Sequence, residues 1–340
     1  MNAESASFVQ LAGLNKVYDP GCHCAFTDLT YWRGRVWLAF REALNHGIHP
    51  SSQIVVLASA DHGHSFQLMA RIAARGLDVR DPHFYVVDDR LHLTIPCWKN
   101  PPTDSAKGKR VTILARSDDG LAWELHREVP LLEDQTVWRP RKHPSENAWY
   151  AASYEREVAR DAGRVRLIRT VDGLAWEAVS TIEDAGFPNE TDLCFLPDGA
   201  LLALVRREKA EGIPILARAR APYTEWSKTP CDRWFKGPLL ERLPGGQLLA
   251  VGRVQREDDA KRYVTRMHLL DPETGVLAPS HTLESGNDTS YAALAHLPPG
   301  AGAPHNALLS YYSGHGYDNG SYRGGDAPQR CAIYVARLAV

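Results

Sequence analysis

Short apolar runs bounded by turn residues dominate the chain, and long stretches with a 3.6-residue period are missing. Six of these runs read as buried strands of one kind: 36–40, 91–95, 149–153, 201–205, 248–252 and 308–312. Turn signals precede several of them, as in Arg33-Gly34, Asp88-Asp89, Pro197-Asp-Gly199 and Pro244-Gly-Gly246. The pattern predicts an earlier strand before each, over 25–31, 82–87, 140–143, 191–196, 238–243 and 291–297. Comparable positions in these first strands, Phe26, Pro82, Pro140, Glu190, Pro238 and Tyr291, recur at intervals of 48–58 residues. Such a period marks one supersecondary unit copied along the chain.

A third apolar run leads into a recurrent turn. Its copies are Ser59-Ala-Asp61-His-Gly63-His-Ser-Phe66, Ser117-Asp-Asp119-Gly120-Leu-Ala-Trp123 and Thr170-Val-Asp172-Gly173-Leu-Ala-Trp176. Asp and Ser or Thr accept backbone N–H groups in the bend, Gly takes the positive φ, and the aromatic packs beneath. Arg220-Ala-Pro222-Tyr-Thr-Glu-Trp226 and Leu270-Asp271-Pro-Glu-Thr-Gly275 read as eroded turns of the same kind. Six units of four antiparallel strands predict an all-β, six-bladed β-propeller, a single domain over residues 1–340. The sixth unit stops after a third strand at 332–338, so a strand over 8–17 is expected to supply the missing edge and close the ring.

Composition narrows the partners. Lys and Arg number 39 against 41 Asp and Glu, a formal charge of -2, which argues against nucleic acid or an anionic membrane surface. No apolar stretch is long enough to span a bilayer, and the first residues show neither a basic region nor an apolar signal core. The expectation is therefore a cytoplasmic protein. Six cysteines show no framework spacing, and strand alternation would turn His23 away from Cys22 and Cys24, so no metal and no cofactor is expected. Asn189-Glu-Thr191 and Asn287-Asp-Thr289 match the glycosylation pattern by chance on this reading.

Polar residues gather where a propeller's strands meet its axis. The starts of first strands contribute His23, Arg80-Asp81, Trp138-Arg139, Asn189-Glu190, Lys236, Asp288 and Tyr291. The ends of second strands contribute Arg41-Glu42, Trp98, Tyr154-Glu155, Arg206, Arg253 and Tyr311-Tyr312. The plain alternative is local pairing, Arg80 with Asp81 and Arg41 with Glu42. Several arginines interleaved with aromatics instead suit a sugar that carries a carboxylate.

Two segments sharpen this. Asn189-Glu190-Thr-Asp-Leu-Cys-Phe-Leu-Pro-Asp-Gly-Ala-Leu-Leu-Ala-Leu-Val-Arg206 sets a Glu at the start of one strand and an Arg at the end of the next. Asp288-Thr-Ser-Tyr291-Ala-Ala-Leu294 sets a Tyr before the last pair of strands. With the recurrent turns, which match the Asp box, the chain resembles the sialidase superfamily over nearly its whole length. The resemblance implies an exo-acting glycosidase in which Tyr291 is the nucleophile and Glu190 takes its proton. A neutral phenol avoids the repulsion that a substrate carboxylate would exert on an anionic nucleophile. It further implies Arg206 on that carboxylate, with Arg253, or else Arg262, as another arginine of the cluster.

Departures from the family are as definite. Its Arg-Ile-Pro is replaced by His23-Cys-Ala-Phe-Thr-Asp28, and the loop Glu42-Ala-Leu-Asn-His46-Gly-Ile-His49-Pro lacks the expected Asp. Arg41 is the candidate to enter from the next strand, and Arg80, Arg139, His23 and His46 complete the substrate-binding set. Glu42, His46, His49 and Asp81 are candidate proton donors, with Asp81 assigned the catalytic part. These departures are similar to those of a divergent sialidase-like branch in bacteria. A lyase acting on a uronate glycan and a non-catalytic carbohydrate-binding propeller are the alternatives.

Overall fold

In a computed structural model, which describes residues 9–99, 110–127, 129–157, 162–300, 306–317 and 327–340, six antiparallel sheets form the six blades of a propeller. Blades 1, 4 and 5 are simple four-stranded meanders. Blade 1 runs His23–Trp32, Arg35–Ala43, Gln53–Ser59 and Gln67–Ile72. All six second strands fall on the apolar runs named above. Blade 6 is assembled from both ends of the chain. Gln10–Tyr18 pairs with Ala332–Ala339, with Leu11 opposite Leu338 and Leu14 opposite Ala336. This closes the ring as expected; Phe8 of the expected strand lies outside the described residues.

The second strands are largely apolar because both of their faces are buried. In blade 1, Val36, Leu38 and Phe40 join the cluster shared with blade 6, while Trp37 and Ala39 join the cluster shared with blade 2. The described residues form one such cluster at each of the six blade interfaces. Alternation in a strand serves two neighbours at once, and ring closure leaves no blade with an uncovered face.

The recurrent turns join third to outer strands in blades 1, 2 and 3. In blade 2, Ser117 Oγ accepts from Gly120 N at 2.8 Å, and Asp119 Oδ1 accepts from Leu121 N and Ala122 N at 2.8 and 3.0 Å. Thr170 and Asp172 repeat the scheme in blade 3. The glycine matters twice, for its positive φ and for its close approach to the preceding blade. A Cβ on Gly120 (φ 77°) would stand 2.0 Å from Trp37 Cη2.

Each first strand is disturbed near the axis. Register shifts lie between Ala25 and Asp28, Pro188 and Thr191, Lys236 and Leu239, and Ser290 and Ala293. In blade 2 the strand is broken into Leu77–Val79 and His83–Val87, and in blade 3 into Thr136–Val137 and Arg141–Lys142. The breaks coincide with Pro82 and Pro140, which cannot donate to the ladder. Bulges of this kind re-aim side chains, and here they aim them at the axis.

Candidate active site

The disturbed positions converge on one phenol. Tyr291, in the left-handed region at φ 48°, is met edge-on by Phe26 at 5.3 Å, itself at φ 63°. Trp138 lies 5.8 Å from it, and Tyr312 stacks at 6.1 Å and 25°. Gly237 faces the same ring, since a Cβ there would stand 3.7 Å from Cδ1 and Cε1. Aromatic residues held at positive φ carry a strain of about 1–3 kcal/mol each, which the blade packing must outweigh.

Tyr291 Oη donates to Glu190 Oε1 at 2.7 Å. Arg206 Nη1 donates to Glu190 Oε2 and, at 3.2 Å, to the phenol oxygen. Its Nη2 donates to Glu208 at 2.6 Å, and Lys236 Nζ donates to the other oxygen of Glu208 at 2.5 Å. Burial, with the Glu190 carboxylate as the next cause, holds the Tyr291 phenol well above its ordinary value, so it rests neutral. The sequence motifs that end in Arg206 and contain Tyr291 thus meet in space although they lie in different blades.

Asp81 sits at the break in blade 2 with φ 39°. Burial, then repulsion by Glu190, pushes its carboxyl up to about 7, against the lowering effect of Arg80 and Arg41. It is therefore largely protonated below neutrality. Its neighbour Arg80 does not pair with it: Arg80 Nε donates to Asp78 and Nη2 to His46 O at 2.6 Å. Arg41 does not pair with Glu42 either. It is fully buried and donates to Asp78 at 2.7 Å, Asn45 O at 2.8 Å and Gly47 O at 2.8 Å. Both local pairings offered as the plain alternative are thereby replaced by one shared carboxylate, Asp78, which sequence reading passed over. Arg41 acts on the loop carrying His46, behind Arg80.

A second polar group stands on the far side of Tyr312. Asp288 Oδ2 lies 2.9 Å from His23 Nε2 and 2.6 Å from His46 Nδ1, while Oδ1 accepts from Tyr312 Oη at 2.7 Å. Arg253 Nη2 reaches Asp288 Oδ1 at 3.4 Å and Tyr312 Oη at 3.1 Å, and its Cζ lies 5.6 Å from the Tyr291 ring centre. Burial lowers His23 to about 4 despite Asp288, so the ring is neutral. Burial alone would raise Asp288, but His46 and His23 outweigh it and hold the carboxyl well below its usual range.

Other candidates lie elsewhere. Arg139 sits deeper on the axis, donating to Asp28 Oδ1 at 2.8 Å, Asp192 Oδ2 at 2.7 Å and Ala292 O at 3.1 Å. It ties blades 1, 3, 4 and 6 beneath the pocket, its guanidinium fully engaged. Arg253, rather than exposed Arg262, adjoins Tyr291. Glu42 is held by Tyr18, Gln53 and Arg71, and His49 pairs with Ser51 at an exposed position. Phe26 and Gly237 were not assigned to the site from sequence, although Phe26 holds the same position in the repeat as Tyr291; Trp138 was placed at the axis without a role.

No family profile matches the sequence, and no curated protein matches it. Solved structures do. A protein of unknown function from Dyadobacter fermentans superposes with a TM-score of 0.76 at 17% identity, covering 98% of this chain and 99% of that one. The phage phi92 endosialidase gives 0.68 at 11% identity, over 96% of this chain and 69% of its own. The NanB sialidase of Streptococcus pneumoniae gives 0.63 at 12% identity, over 99% and 72%. At these identities the likeness establishes the propeller architecture.

Proposed function

We propose that the protein is a retaining glycoside hydrolase that cleaves an acidic sugar from the end of a glycan, with Tyr291 as nucleophile. The observation that carries this reading is the 2.7 Å hydrogen bond from Tyr291 Oη to Glu190 in a part-buried cluster that also holds Arg206. Glu190 takes the phenol proton as the oxygen attacks the anomeric carbon. Asp81 gives its proton to the leaving oxygen as the glycosidic bond breaks, and then accepts a proton from the water that displaces the Tyr291 oxygen from the sugar, while Glu190 returns the phenol proton. Arg206 and Arg253 adjoin the phenol, and on this reading they receive a carboxylate on the attacked carbon. The sialidases among the similar structures support this choice of chemistry.

The test is a panel of keto-acid and uronate glycosides read by mass spectrometry. Hydrolysis with one solvent oxygen in the product is expected, falling at least ~100-fold in both Tyr291→Phe and Glu190→Gln. Full activity in either variant, or an unsaturated product, would overturn the reading.

A further inference from the structure

His23, His46 and Asp288 come from three separate segments: the first residue of one inner strand, the loop after its partner, and the entry to the inner strand of blade 6. One nitrogen from each imidazole and a carboxylate oxygen lie within 4.8 Å of one another. Both nitrogens approach the same oxygen, Asp288 Oδ2. His23 is fully buried and Asp288 only 4% exposed, so this is a built cluster and not a chance meeting of surface groups. We propose that it is a binding site for a divalent cation of the zinc class.

The donor set decides the class. Two imidazoles and one carboxylate suit Zn(II) and its neighbours among transition ions, and are poor ligands for calcium or magnesium. The geometry is nearly in place. Ligands at about 2.0–2.2 Å in a tetrahedron stand roughly 3.3 Å apart, so the contacts now at 2.9 and 2.6 Å need to widen by about 0.4 and 0.7 Å. Tyr312 Oη on Asp288 Oδ1 supplies the outer hydrogen bond that orients a ligating carboxylate. Arg253 also acts on Oδ1 and leaves Oδ2 to the ion.

His46, its side chain 28% exposed, is the ligand nearest solvent and marks the way in. Three protein ligands leave a fourth coordination position open. On the glycosidase reading, on which this one extension rests, the cation strengthens the positive side of the pocket beside Arg253, where the sugar carboxylate binds. Cys22, Cys24 and Glu42 form the competing cluster. There the carboxylate already accepts from Tyr18, Gln53 and Arg71, and His23 is engaged with Asp288.

The experiment needs no substrate, so its outcome is separate from that of the hydrolysis assay. Protein stripped with a chelator is titrated with Zn(II) by calorimetry, and with Co(II) by absorption spectroscopy. One ion per chain is expected, with visible cobalt d–d bands and no thiolate charge-transfer band. His46→Gln removes a ligand outright and is expected to weaken binding beyond the ~10–100-fold typical of losing an outer partner. Cys22→Ser/Cys24→Ser is expected to bind as the parent does. Absence of binding, unchanged affinity in His46→Gln, or a charge-transfer band lost with the cysteines would each overturn the proposal. The parent's cobalt spectrum decides the ligand type even if a variant folds poorly.

Discussion

Replacing Asp81 with Asn isolates a cost that the candidate site imposes on the fold. In the folded protein the carboxyl is pushed up to about 7, chiefly by burial and then by Glu190. In the unfolded chain it ionises near the ordinary 3.8. Between these values the unfolded state has released a proton that the folded state retains, so stability falls as pH rises through this window and levels off above about 7. The full interval is worth about 4 kcal/mol at ~1.4 kcal/mol per decade of proton affinity. Solvent reaches part of the half-buried carboxyl, and screening brings the expected effect to ~2–4 kcal/mol. Urea denaturation of the parent and Asp81→Asn at pH 4, 6 and 8 measures it. The variant should match the parent at pH 4 and exceed it by this amount at pH 8, while losing activity. A stability difference that does not grow with pH would refute the placement of Asp81 in a buried, carboxylate-rich pocket.

Three further outcomes follow from the same structure. On the proposed reading Asp81 serves the leaving group only when protonated, so hydrolysis should fall as pH rises through about 7; a rate still rising at pH 8 would remove it from that role. Gly120→Ala should cost ~3 kcal/mol or more, as its Cβ would overlap the Trp37 ring, whereas Gly34→Ala, at φ 75° with no atom within 4 Å, should cost only the ~1–2 kcal/mol of a strained φ. Equal losses in thermal unfolding would deny the blade contact. Deleting residues 1–18 exposes the edge of Ala332–Ala339 and uncovers its apolar cluster, so a lowered Tm and association on size-exclusion chromatography are expected; an unchanged monomer would refute closure of the ring by that strand.

The architecture was legible because a blade's second strand has no solvent face. Leu201–Val205 and Leu248–Gly252 are apolar at every position for that reason, and their spacing carries the repeat. The meeting of Tyr291, Glu190 and Arg206 was legible through two local motifs. What the sequence concealed was the course of the backbone at the axis. Pro82 and Pro140 hinted at breaks, but nothing in Ala25-Phe26-Thr27 announces a left-handed phenylalanine whose ring meets Tyr291. Counting charges near the axis was similarly insufficient. It grouped Arg139 and Arg41 with the ligand-facing arginines, because sequence does not reveal that Asp28, Asp192 and Asp78 already engage them.

The charges around the pocket also bear on how its acid stays loaded. Arg41, Arg80, Arg206, Lys236 and Arg253 bring five positive charges against four carboxylates, Asp78, Glu190, Glu208 and Asp288. With Asp81 protonated the group is positive by one, and ionising Asp81 cancels that charge. On the proposed reading, a sugar carboxylate entering beside Arg206 and Arg253 supplies the balancing negative charge itself. A like charge beside Asp81 disfavours its ionised form and raises its proton affinity further. The coupling is reciprocal: a protonated Asp81 favours binding of the anionic sugar as strongly as the sugar favours the proton. Substrate charge would then hold the proton on the group that must donate it, and an uncharged sugar of the same shape would lack that advantage at neutral pH.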